Sequence, residues 1–437
     1  MVRGITRRSN RMNHVGTVGI IGLGYVGLPL AMEFCRAGVR VVGVDVDVRR
    51  VDLLASGVSP IEDVPSEEVQ RNMASQLFQP TSDFAMLTEA ESISICVPTP
   101  LGKSHEPDVS FVQAAVSSIR PHLQRGQVVI LESTVYPGAT EELVVPELEK
   151  SGLRAGTDFF VAFSPERIDP GNKTHPVSSI PKVVGGVTLR STELAASVYR
   201  RVFKQVKEVG SAKEAEMTKL LENTFRAVNI GLVNELALVA HGMGINIWNV
   251  IEAAATKPFG FMPFQPGPGW GGHCIPVDPF YLTWRARIDG LEVGFIDHAG
   301  RINTRMPLHV ADRVSDMLND AGKAMQGSRI LVLGTAYKKN VSDVRESPAI
   351  EVIRRLEGRG AIVEYHDPHV PEMRVHNGKL ESQALTAELL ALQDCVVILT
   401  DHSDVDYEFV AANATAVFDT RNVTAAIRER HPHVQVL

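Results

Sequence analysis

Short apolar runs bounded by glycine and separated by helical stretches recur along the chain, the pattern of buried parallel strands alternating with helices. Val18–Leu23 reads as a first strand, Leu28–Ala37 as the helix after it, and Val39–Asp45 as a second strand. Further strands are expected at Ser92–Val97, Val128–Glu132 and Phe159–Phe163. From Ser211 to about Met243 only Gly231 interrupts a helix, with Leu221, Phe225, Val228, Leu232 and Val239 at helical spacing. At about 1.5 Å per residue this element spans roughly 45 Å. The first pattern then returns: Arg329–Gly334 as a strand, Ser347–Arg359 as a helix opened by Pro348, and Ala361–His366 as a strand ending at Asp367. Cys395–Thr400 and Ala416–Asp419 supply further buried strands. An α/β chain is expected.

At 437 residues the chain exceeds what one core usually covers. Three regions are expected: 13–208 with the first sheet, 209–310 with the long helix and a cysteine loop, and 311–437 with the second sheet. A helix this long exposes more apolar surface than two flanking domains cover, so a homodimer or higher homo-oligomer is expected. The net charge of −7 comes with interspersed Lys and Arg and no basic stripe, which disfavours nucleic acid. Cys35, Cys96, Cys274 and Cys395 form neither a CxxC pair nor a His/Cys cluster, arguing against disulfides and zinc and fitting a reducing cytoplasm. Arg7, Arg8 and Arg11 ahead of the apolar run Thr17–Cys35 imitate a signal peptide, but Gly22, Gly24 and Gly27 break it, and no membrane span is expected.

Those glycines carry chemistry. Gly22-Leu-Gly24-Tyr25-Val26-Gly27 is a GxGxxG turn between a strand and a helix, and Asp45 ends the next strand 23 residues beyond Gly22, where the ribose of a dinucleotide needs an acceptor. A carboxylate there favours NAD over NADP, while neighbouring Arg49 and Arg50 pull the other way; Arg50 joins the candidate cofactor set. Later strands lead into the turns Pro98-Thr99-Pro100 and Ser133-Thr134, where ligands of open parallel sheets collect. Thr134 is either a ligand-binding hydroxyl or a turn former. Phe159–Phe163 opens into Ser164-Pro165-Glu166-Arg167, which places a carboxylate and a guanidinium at another strand end.

Lys219 and Asn223 stand four apart on the long helix and so share a face; that face is either solvated or part of a site. Pro266-Gly-Pro-Gly-Trp-Gly271-Gly-His-Cys274-Ile-Pro-Val-Asp278-Pro279 sets one thiol in a stiffened, glycine-rich loop downstream of Phe264. Cys274 is either a structural cysteine in a turn or the centre of a shaped pocket. Gly334-Thr-Ala-Tyr337-Lys338-Lys339 replaces the glycine fingerprint in the second pattern, with lysines that either neutralise a diphosphate or sit in solvent.

GLGYVGLPLA at Gly22, ESTVYPGAT at Glu132, FSPERIDPG at Phe163, KLLENTFRAVNI at Lys219, GGHCIPVDP at Gly271 and GTAYKKNVSDVRESPA at Gly334 together resemble the UDP-glucose/GDP-mannose dehydrogenase family. The resemblance implies two Rossmann-like doubly wound domains joined by a long central helix, with NAD on the first and the UDP moiety of a UDP-sugar on the last. It implies Cys274 as nucleophile, accompanied by Lys219, Asn223, Asp278, Glu166 and Thr134. It further implies substrate contacts from Tyr337 and Lys338 and a place near the cofactor for Arg345. Arg167, Phe264 and Gly271 complete the expected substrate set; Pro98, Thr99 and Ser133 join the cofactor set. KPFGFMPFQPGPGWGGHCIPVDPFYL resembles enzymes that oxidise UDP-N-acetylglucosamine for surface polysaccharides, while UDP-N-acetylmannosamine enzymes share GGHC and VDP, and UDP-glucose is the remaining alternative. The implied reaction is four-electron oxidation at C6 through a cysteine thiohemiacetal and thioester. Rival readings are a two-electron hydroxyacid dehydrogenase and an NAD-sensing binding protein without turnover.

Overall fold

The computed structural model describes residues 16–102, 106–167, 177–272, 275–375 and 378–437. The chain divides into two compact units, Met1–Leu220 and Leu221–Leu437, each built around its own sheet. In the first, Val18–Ile21 (β1), Val41–Val44 (β2), Phe78–Thr81 (β3), Ser92–Ile95 (β4), Val128–Leu131 (β5), Phe160–Phe163 (β6), Lys182–Gly186 (β7) and Val206–Glu208 (β8) form one sheet. Their order is β3-β2-β1-β4-β5-β6-β7-β8. β1, β2, β4 and β5 are buried at every position, which is why their sequences run apolar without alternation.

Strand order reverses between β1 and β4, opening a crevice at the carboxyl ends where open parallel sheets bind ligands. One pairing breaks the parallel rule: β7 runs antiparallel to β6, with Ala162 opposite Gly186. The first residue of β7, Lys182, therefore lies at the same edge as the carboxyl ends of β5 and β6.

The second unit carries Arg329–Leu333 (β9), Ile362–His366 (β10), the antiparallel hairpin Glu372–Val375 (β11) and Gly378–Glu381 (β12), then Cys395–Ile398 (β13), Val417–Asp419 (β14) and Val434–Val436 (β15). Its main sheet runs β10-β9-β13-β14-β15, parallel throughout. The helix Pro348–Gly358 is capped by the Ser347 side chain, which accepts from Ala349 N–H, and opens on Pro348, as the sequence predicts. The expected pair of doubly wound sheets is what the structure contains.

The long helix is continuous from Ala212 to Gly242, so it starts in the first unit and runs on into the second. Gly231 does not interrupt it. A β-carbon there would stand 3.0 Å from Ala299, so glycine lets this helix approach the helix Gly294–Asp320 closely. Among the described residues no helix is long and apolar enough to cross a membrane.

Candidate active site

The fingerprint glycines divide the work between folding and binding. Gly22 adopts φ +88°, and a β-carbon on it would lie 2.5 Å from the Cys96 carbonyl oxygen. A β-carbon on Gly27 would lie 1.9 Å from the Gly22 carbonyl, so the first helix turn packs directly on the loop. Gly24 has nothing within 4 Å of that position, leaving the concave side open to a pyrophosphate at the helix N-terminus. Beside it, Tyr25 is exposed and Val26 half-buried.

Asp45 is buried and joins this loop to the second strand. It accepts from Leu23 N–H at 2.8 Å, Asp47 N–H at 2.9 Å and the Arg50 guanidinium at 2.7 Å. Arg50 is thereby neutralised by the acid that would meet the ribose, which resolves the ambiguity of the local sequence in favour of an unphosphorylated 2′-hydroxyl. These residues fit NAD: an open glycine, a helix N-terminus and an acidic acceptor in the order a dinucleotide requires.

The turns after β4 and β5 are stitched together by Ser133, whose hydroxyl accepts from Val97 N–H at 2.9 Å and donates to the Val97 carbonyl at 2.7 Å. Ser133 thus shapes the edge of the crevice, with Pro98 and Thr99 on the adjoining turn. Thr134 is half-buried and makes no hydrogen bond among the described residues. The chain after it is held by Glu216, a residue the sequence reading missed. Fully buried on the long helix, Glu216 accepts from Gly138 N–H at 2.5 Å, Thr140 N–H at 2.9 Å and the Thr140 hydroxyl at 2.6 Å. Burial pushes its carboxyl up to about 7, against the pull of those donors.

Lys219 follows Glu216 on the same helix and is buried, so its face is not a solvated one. Its ammonium donates to the Glu166 backbone carbonyl at 2.6 Å. Arg167 N–H donates to the Glu166 carboxylate at 2.6 Å, and the Arg167 side chain donates to the Pro181 carbonyl at 2.6 Å. The first unit therefore brings Glu166, Arg167 and Lys219 into one hydrogen-bonded group, with Lys182 against the same carboxylate.

Within the second unit, buried Asn223 donates to Asp278 Oδ2 at 2.5 Å. Asp278 is the first residue of the helix Asp278–Ile288, where the helix dipole stabilises negative charge. The loop before it is braced at several points. Gly267 N–H donates to Asn234 Oδ1 at 2.9 Å, and Asn234 donates to Asn303 at 2.7 Å. Pro307 cannot donate to the Asn303 carbonyl, and Gly269 packs against that carbonyl, where a β-carbon would lie 3.2 Å from the oxygen.

Gly271 and Gly272 then lie on Tyr337. A β-carbon would stand 3.0 Å from Tyr337 Cβ at Gly271 and 2.8 Å from its ring at Gly272, which also has φ +86°. The predicted substrate residues Gly271 and Tyr337 are thus in contact. Lys338 follows Tyr337 and is half-buried, whereas Phe264 packs on Phe225 of the long helix with ring centroids 5.7 Å apart. Arg345 forks onto Asp343 at 3.0 and 2.8 Å in this second unit. Cys274, with His273, lies outside the described residues, and Asp278 and Gly272 are the nearest site positions described on either side of it.

Three family models match the chain consecutively: the NAD binding domain, the central domain and the UDP binding domain of the UDP-glucose/GDP-mannose dehydrogenase family, over residues 16–203, 213–305 and 331–426. A UDP-N-acetyl-D-glucosamine 6-dehydrogenase of Pseudomonas aeruginosa is 41% identical over 81% of this chain and 83% of its own. A UDP-N-acetyl-D-mannosamine dehydrogenase of Escherichia coli is 35% identical over 89% and 94%. Among solved structures, a UDP-D-ManNAc dehydrogenase of Pyrococcus horikoshii superposes with a TM-score of 0.85 at 35% identity, covering 93% of this chain and 95% of that one.

Proposed function

This chain belongs to the UDP-glucose/GDP-mannose dehydrogenase family, an NAD-dependent oxidoreductase of UDP-sugars, and from that premise we propose that it oxidises C6 of UDP-N-acetylglucosamine to the carboxylate. The observation that carries the reading is the seating of Gly271 and Gly272, immediately before His273-Cys274, on Tyr337 of the second nucleotide-type sheet. A thiol loop built onto the expected nucleotide end of the substrate fits a reaction in which sulfur meets the sugar of a bound sugar nucleotide.

NAD, held by the Gly22–Gly27 turn and Asp45, supplies the hydride acceptor in each of two oxidations. The remaining work falls to side chains of this chain. As the C6 alcohol becomes an aldehyde its hydroxyl proton must leave, to a base or to a water held by Lys219 and Asp278. The Cys274 thiolate then adds to the aldehyde carbon, and the carbonyl oxygen becomes an oxyanion to which Lys219 and Asn223 donate. Such donors are worth about 3–4 kcal/mol each in well-studied hydrolases. Loss of the second hydride leaves a thioester. Water adds to its carbonyl carbon, the C–S bond breaks, and the thiolate is returned with the uronate; Glu166 and Asp278 are the candidate bases for that water.

N-acetylglucosamine is preferred for the wording of the cysteine loop; the same chemistry on the manno epimer or on glucose is the alternative. Thr134, Arg167, Phe264, Lys338 and Arg345 are assigned to the ligands they were expected to meet. A second copy is proposed to cover the apolar stripe of the long helix, where Leu221, Phe225, Leu232, Leu236, Val239 and Met243 are exposed at spacings that keep them on one face. The test is stoichiometry: purified protein with NAD and a panel of UDP-sugars should form two NADH per sugar, fastest with UDP-N-acetylglucosamine. One NADH per sugar would replace this reading with the two-electron dehydrogenase.

A further inference from the structure

Two buried ionisable groups, Glu132 and Lys182, meet the half-buried Glu166 at the carboxyl edge of the first sheet, and of the three the mechanism above uses only Glu166. Lys182 Nζ lies 2.5 Å from Glu132 Oε2 and 3.3 Å from Glu166 Oε2. Glu132 is 1% exposed and Lys182 3%. The other oxygen of Glu132 accepts from the Tyr199 hydroxyl at 2.5 Å; that hydroxyl also lies 3.5 Å from Ser94 Oγ. The Lys182 ammonium rests over the Tyr199 and Phe203 rings, 5.2 and 5.5 Å from their centroids, a further source of attraction for a buried cation.

Removing charges from water is costly, and one buried cation between two carboxylates is not how a fold gains stability cheaply. Apolar packing would serve the core around Phe34, Tyr199 and Phe203 at least as well. The arrangement does, however, fix geometry. Glu132 is anchored by Tyr199, Lys182 is anchored by Glu132, and the remaining reach of the ammonium ends on the carboxylate of Glu166, whose backbone carbonyl accepts from Lys219. Burial alone would lower the affinity of Lys182 for its proton, but the Glu132 and Glu166 charges outweigh it and hold the ammonium charged. Only the reversal of β7 puts the lysine at this edge; a parallel β7 would carry it to the opposite end of the sheet.

We propose that Lys182, clamped by Glu132 and Tyr199, is a positioning residue that orients Glu166, and through the Glu166 backbone carbonyl fixes the Lys219 ammonium that donates to it at 2.6 Å. One oxygen of Glu166 accepts from Lys182 and the other from Arg167 N–H; removing Lys182 takes away the cation that holds the first of these oxygens in place. The inference rests on the proposed reaction, since it gives meaning to the seating of Glu166 and Lys219.

The test compares wild type with Lys182→Arg, which keeps the charge, and with the double variant Lys182→Met/Glu132→Gln, which removes both members of the inner pair and leaves no buried charge unmatched between them. Wild type is first scored for NADH formed per UDP-sugar; one per sugar sinks the four-electron reading and leaves the present comparison in force, whereas none sinks both. The ratio of variant to wild-type rate is then taken in whichever NAD reduction the enzyme performs. The double variant should melt within a few degrees of wild type, keep KM for NAD and for UDP-sugar within about threefold, and lose at least tenfold in kcat. Lys182→Arg should recover most of that loss. A double variant that folds and turns over at the wild-type rate overturns the proposal. So does one that no longer folds, since Lys182 would then serve the core rather than Glu166.

Discussion

Replacing Glu216 by Gln tests how the long helix is latched to the turn after β5. Three donors converge on this carboxylate, which favours the ionised form, yet complete burial opposes it and prevails, lifting the carboxyl from 4.5 to about 7. At about 1.4 kcal/mol per pH unit, that displacement corresponds to roughly 3 kcal/mol. Because the folded value lies above the unfolded one, the folded state holds the proton more tightly. The associated stability is complete below pH 4.5 and is lost as pH rises through about 7. An amide in place of the carboxyl cannot titrate, so the variant lacks this dependence.

The measurable quantity is the difference in apparent melting temperature between wild type and Glu216→Gln, taken at matched pH between 5 and 8. For a domain of some 220 residues, each kcal/mol moves the midpoint by roughly 2–4 °C, so wild type should lose on the order of 5–10 °C relative to the variant across that range. A difference that stays constant, or one in which wild type gains as pH rises, would show that the three donors outweigh burial and that Glu216 is ionised throughout.

Cys274→Ser should perform the first oxidation and then stall, because serine adds more weakly and its ester resolves slowly; unchanged turnover would refute the nucleophile, while Cys274→Ala should bind NAD normally by calorimetry. Gly24→Ala should melt like wild type but lose NAD affinity at least tenfold, whereas Gly27→Ala should destabilise the first unit by several kcal/mol, since its β-carbon would meet the Gly22 carbonyl at 1.9 Å; equal melting temperatures for the two would contradict this division. Leu236→Glu, placed in the exposed stripe of the long helix, should halve the mass seen by sedimentation and leave the fold intact, and a mass unaltered from wild type would remove that stripe as the interface.

Sequence periodicity reached the elements whose partners are local and stopped at those whose partners are distant. The strand, glycine turn, helix, strand and acid of each unit lie where the pattern predicts, because parallel strands buried on both faces must be apolar. β3 was invisible: Phe78-Gln-Pro-Thr81 carries a proline, tolerated because the strand lies at the sheet edge. Pro307 would likewise have argued against the helix Gly294–Asp320, although it is where the cysteine loop packs. Spacing alone left the face of Lys219 and Asn223 either solvated or part of a site, and both residues are buried. Lys182 gave no signal, since Glu132 is 50 positions away and only an antiparallel reversal makes them neighbours.

The two sheets reuse one device to different ends. In each, an acid closing the second strand accepts from the backbone that follows the first: Asp45 from Leu23 N–H, and Asp367 from Thr335 and Ala336 N–H at 2.7 and 3.1 Å. A carboxylate offers about four acceptor positions. Asp45 uses three of them, on Leu23, Asp47 and Arg50. Asp367 also takes the Thr335 hydroxyl, His369 and Val370 N–H, and the buried His402 ring; that imidazole accepts from Asn340 N–H at Nδ1, so its Nε2–H is the donor. These partners hold the Asp367 carboxyl down at about 2 although burial works against them. With its capacity exhausted by its own loops, Asp367 has nothing left for a ribose. The acid of the second sheet is thus a structural knot, and a nucleotide bound there would be recognised by other groups, of which the Tyr337-Lys338 turn is the nearest in sequence.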